Sequence, residues 1–140
     1  MNSENTKITN FFKFESLRIY HKAVDFANAI ITLANSCKNE SHRLLMNMFA
    51  NEAMQITTNI IEGQSVSKTA FIEHLQKAKS NIGCCVAMNT IAFKQRLIDE
   101  IQENDIRNEL MELTKMIGAL IISFQKHDPV TSFEMQTLTN

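Results

Sequence analysis

The stretch "TTNIIEGQSVSK", residues 57–68, decides how this chain is read. Upstream of it Leu45, Phe49, Ala53, Ile56 and Ile60 recur every three or four positions, the spacing of one helix face. Downstream, Phe71, Leu75, Ala78, Ile82, Cys85, Asn89 and Phe93 repeat that spacing. Between the two runs, Gly63 fits the place just past a helix end, where a left-handed backbone costs glycine little. Ser67 can cap the helix that follows. Asn59 and Glu62 then read as helix-end residues, one satisfying backbone groups and the other solvated or paired with a base. The stretch is a turn between two helices rather than an active site. The functional reading of Asn59, Glu62 and Gly63 is a subunit or ligand contact at the end of the bundle.

Working outward, a first helix spans about Phe14 to Cys37. "CKNESH" interrupts the pattern, and Ser41 can cap the second helix, which ends near Glu62. The third runs from about Ser67 to Leu97. The fourth opens in "DEIQENDIRNE", whose acids favour the positive helix end. It carries Ile106, Leu110, Leu113, Ile117, Leu120 and Phe124 on one stripe, and Asp128-Pro129 stops it. Residues 1–13 read as a loose N-terminal arm and 128–140 as a C-terminal tail. With three Gly and one Pro in 140 residues there is little to bound strands. The expected fold is all-α, an up-down-up-down antiparallel four-helix bundle over residues 14–127.

The first helix carries two apolar stripes. One holds Leu17, Tyr20, Val24, Ala27, Ile31 and Ala34; the other holds Ile19, Ala23, Phe26, Ile30, Leu33 and Cys37. A surface helix needs only one apolar face. The second stripe predicts a subunit interface at Ile19, Ala23, Phe26, Ile30 and Leu33, and hence a homo-oligomer.

Chemistry finds little purchase. None of His21, His42, His74 and His127 has a Glu three residues before it, the bundle metal pattern. Phosphate-loop, dinucleotide and nucleophile-elbow motifs do not occur. No enzyme activity, metal or cofactor is expected. Cys37, Cys84 and Cys85 lack CxxC spacing, and Cys85 lies on a core stripe, so free thiols in a reducing cytoplasm are expected. The start has no signal-peptide core and no apolar run would span a membrane. A net charge of −1 argues against a strong nucleic-acid face. The basic residues Lys68, Lys77, Lys79, Lys94 and Arg96 are the contacts to expect if one exists, although they do not share a helical stripe.

Three segments in order, "FESLRIYHKA" (14–23), "NIIEG" (59–63) and "SKTAFIEHLQKAKS" (67–80), resemble the four-helix bundle proteins of intervening sequences in 23S ribosomal RNA genes. The resemblance covers about residues 14–126. It implies an up-and-down bundle without established enzymatic activity, assembled into a pentameric ring; with the departures at Ala70 and Gly83, a pentamer is expected first and a dimer second. A related branch, the accessory variability proteins of diversity-generating retroelements, implies an alternative: a nucleic-acid-associated accessory protein binding RNA, DNA or a reverse transcriptase. This chain departs from the family pattern at Gln55, at Asn51-Glu52 in place of a basic pair, and at Ala70 and Gly83 in place of Glu. The reading the sequence supports is a non-enzymatic, homo-oligomeric assembly or adaptor module whose protein partner is unspecified.

Overall fold

The computed structural model describes residues 11–64 and 66–127. A 3-10 turn at Lys13–Ser16 leads into four helices: α1 Arg18–Ser36, α2 Glu40–Gln64, α3 Lys68–Lys94 and α4 Glu100–His127. The short connections make consecutive helices antiparallel. Helix α1 packs on α2, α2 on α3 and α3 on α4, while α4 returns more loosely to α1. The protein is an all-α up-down bundle, as the periodicity predicts. The expected arm and tail lie outside the described residues except at 11–13.

The helix ends differ in detail from the expectation. Helix α1 starts at Arg18, not Phe14, because Leu17 is extended (φ −79°, ψ 125°) and separates it from the 3-10 turn. The cap of α2 is Asn39 rather than Ser41: Asn39 Oδ1 accepts from the Ser41 N–H at 2.8 Å and the His42 N–H at 3.2 Å. Ser67 does cap α3, its hydroxyl accepting from the Ala70 N–H at 3.1 Å. Helix α3 stops at Lys94. There the Arg96 N–H bonds Phe93 O at 3.0 Å and the Leu97 N–H bonds Ala92 O at 2.9 Å, with Arg96 left-handed at φ 60°. Asp99 and Gln102 cap α4 reciprocally, at 2.8 and 2.9 Å.

The core runs the length of the bundle. Ile30, Ala53, Ile56, Ile60, Ile72, Leu75, Ala78, Leu113 and Ile117 are fully excluded from solvent. On α3 the last core position is Ala92, three residues after Asn89, and the expected Phe93 is 42% exposed. The stripe assigned to a subunit interface is corrected too. Ile19, Ala23, Phe26 and Ile30 are buried in the chain's own core, and Leu33 is half-buried against it. A side chain enclosed by its own bundle has no surface left for a neighbour. What remains on α1 lies on the other stripe, where Val24 is exposed and Ile31 half-buried.

Lys22 Nζ donates to Glu112 Oε2 at 2.9 Å, joining α1 to α4. That hydrogen bond is the main cause that holds the Glu112 carboxyl below, and the Lys22 ammonium above, their usual ranges. Among the described residues no helix is long and apolar enough to cross a membrane.

Candidate functional site

Gly63 is not a left-handed cap. Helix α2 runs through it to Gln64, and no described glycine has a positive φ. Gly63 is buried, and a Cβ there would lie 2.5 Å from His74 Cβ and 3.0 Å from Phe71 Cδ1. Glycine is required because α2 and α3 touch closely where the hairpin opens.

The same closeness brings polar side chains together along the α2–α3 seam. Asn59 Nδ2 donates to Asn81 Oδ1 at 2.8 Å and to Gln55 O at 3.2 Å. Asn59 Oδ1 therefore acts as the acceptor toward His74 Nδ1, 3.1 Å away, which places the proton on Nδ1. Asn81 Nδ2 donates in turn to Glu52 Oε1 at 2.8 Å. All four side chains are half-buried. Hydrogen bonds thus run in one direction from the His74 imidazole through two amides to the Glu52 carboxylate. Asn59 satisfies a backbone carbonyl, as expected, and in addition links the two helices. Glu62 is exposed.

This row is legible in sequence only in hindsight. Glu52 and Asn59 are seven residues apart on α2, as are His74 and Asn81 on α3. Two turns on each helix place both pairs on facing surfaces once the register is known. Chemically the row sets that register, since any slip would break several half-buried hydrogen bonds together. Two amides keep the imidazole and carboxylate apart, so they do not form an acid–base couple.

The thiols differ by exposure. Cys85 is enclosed, and burial first, then the charge of Glu52 and neighbouring Cys84, pushes its pKa up to about 12. A thiol so held is protonated at neutral pH and a poor nucleophile. Cys84 is exposed, Cys37 is half-buried, and all three are free. Among the described residues no group of three His, Cys, Asp or Glu side chains is placed to hold a metal ion. Lys68, Lys77, Lys79, Lys94 and Arg96 are all exposed. They do not converge: nine residues at ~100° each put Lys77 half a turn from Lys68, and Arg96 lies beyond the helix.

The other seam of α2 has the opposite character. Between α1 and α2 runs a groove of about 350 Å³ lined by Val24, Ala27, Asn28, Ile31, Met54, Thr57 and Thr58, none of them charged. Val24 and Met54 are 37% and 41% exposed. Thr57 Oγ1 is buried with no hydrogen-bond partner. A second apolar groove, of about 310 Å³, lies where α4 meets α1, between Leu17, Ile19, Met116 and Leu120.

No curated protein and no solved structure matches the chain. A family model described as 23S rRNA-intervening sequence protein matches residues 15–119, which takes in the end of the 3-10 turn, the first three helices and most of α4. The match spans three-quarters of the chain, including the Gly63 crossing and the polar row beside it, and the protein belongs to the 23S rRNA-intervening sequence protein family.

Proposed function

We propose that the protein is a non-enzymatic assembly module that works as a closed homo-oligomeric ring in the cytoplasm, with five copies the first expectation and two the second. The observation that carries this reading is the groove between α1 and α2. It is uncharged, and its rims are the exposed Val24 and Met54. An uncharged groove with apolar rims offers surface for a second copy to cover, and closed symmetry covers it without leaving a sticky edge. The absence of an acid–base couple in the polar row and the locked thiol of Cys85 favour scaffolding over catalysis. Light scattering after size exclusion, at micromolar protein and moderate salt, tests the proposal. A mass several times 16.0 kDa is expected, and a mass of one chain would overturn it.

A further inference from the structure

Five aromatic side chains form a continuous row at the start of the described chain. Phe11 meets Phe12 edge-on with centroids 5.0 Å apart, Phe12 lies 5.9 Å from Phe14, Phe14 meets Tyr20 at 5.1 Å, and Tyr20 meets His21 at 5.2 Å. The inner end is anchored, because Tyr20 packs against the bundle core. The outer end is not covered: Phe11 is 78% exposed and Phe12 50%. Two exposed phenyl rings held by a row of ring contacts form a knob, and ring contacts of this kind reduce the ordering left to be done when it is bound.

The chain also carries an open groove of a size to receive it. A cavity of roughly 150 Å³ takes up one benzene. The α1–α2 groove, at about 350 Å³, has room for two phenyl rings. Its lining is uncharged, as a phenyl requires, and an exposed residue of opposite charge stands next to each partner in sequence. Lys13 follows the two rings and is exposed; Asp25 follows Val24 on the rim and is exposed.

We propose that Phe11 and Phe12 of one copy insert into the groove formed by Val24, Ile31 and Met54 of a second copy, with Lys13 meeting Asp25. This rests on the reading of the protein as a homo-oligomer and names the contact that builds it. Knob and hole are different surfaces, so the contact is head-to-tail, and a head-to-tail contact whose rotation closes makes a ring.

The test uses two full-length variants. Phe11→Ser with Phe12→Ser removes the knob and leaves the groove. Val24→Lys with Met54→Lys blocks the groove and leaves the knob; Asn28→Arg, on an exposed lining residue, is the second blocked variant should the lysine pair unfold. Circular dichroism checks the fold of each. Each variant alone should run as a single chain by light scattering. Mixed in equal amounts they should give a two-chain species and nothing larger, because one knob and one open groove remain between them. An unmodified protein of single-chain mass would overturn both this inference and the assembly itself. An assembled unmodified protein whose knobless variant keeps the full mass would overturn only the inference, and the rings would then face some other partner, such as stacked nucleobases. Variants that stay single chains when mixed would overturn it as well.

Discussion

Helix α2 has two seams, and they are finished to different degrees. Toward α3, glycine at 63 lets the backbones close, and the half-buried Glu52, Asn59, His74 and Asn81 bond to one another across the gap. Toward α1, the core beneath is equally buried, but beside it lie an apolar groove and the Thr57 hydroxyl, buried without a partner. One seam satisfies its polar groups inside the chain. The other leaves apolar surface at its rims and a buried hydroxyl without a partner beneath them. The contrast places the register of the bundle on one side of α2 and, on the other, the groove proposed here for assembly.

The largest effect should come from the core both seams share. Ile56→Ala, at a position with no exposure, should cost ~2–5 kcal/mol in denaturant melts, as large-to-small core changes do. Gly63→Ala comes next. Its new Cβ would overlap His74 Cβ and Phe71, and overpacking of this kind costs ~1–3 kcal/mol. A neutral Gly63→Ala would break the claim that close approach, and not turn geometry, selects glycine there.

Asn81→Ala against Thr57→Val sharpens the contrast between the seams. Asn81 both accepts and donates in the polar row, so its loss leaves half-buried groups unpaired at ~1–3 kcal/mol. The Thr57 hydroxyl bonds nothing within the chain, so replacing it with a methyl should leave the stability of the fold unchanged or raised by up to ~1 kcal/mol. Equal costs for the two would mean that the seams do not differ in the way described.

The Lys22–Glu112 pair should contribute least. Glu112's ordinary value is 4.5 and Lys22's is 10.5, one lowered and the other raised by the fold. The pair's support is therefore complete between those values. It is lost as pH falls through the depressed carboxyl value and again as pH rises through the raised ammonium value. Both groups lie at the surface, where solvent and salt screen them, so Glu112→Gln should hardly move the melting midpoint at neutral pH.

Much of this molecule is legible in its sequence. Apolar spacing locates all four helices, because 3.6-residue periodicity is a local property. Ser67 is legible as a cap because its bond goes to a residue three positions on. What is hidden depends on distances between helices. Gly63 suits either a left-handed turn or a close crossing, and spacing alone cannot separate them. Asn39 and Ser41 are both good caps two residues apart, and the choice between them follows from how the chain leaves α1. Helix α1 has two apolar stripes; which of them faces inward is set by where α2 and α4 lie, and the structure buries Ile19, Ala23, Phe26 and Ile30. The polar row needed the register of α2 on α3, which no single segment encodes.

Oxidative footprinting of methionine tests most directly whether the α1 side of α2 is the side that assembles. Met48 and Met54 sit on the same helix and are exposed to similar degrees in the single chain, 56% and 41%. As the protein is concentrated from dilute solution into its assembled form, oxidation of Met54 should slow strongly while that of Met48 stays as it was. Met54 oxidising as fast in the assembly as in dilute solution would contradict the account.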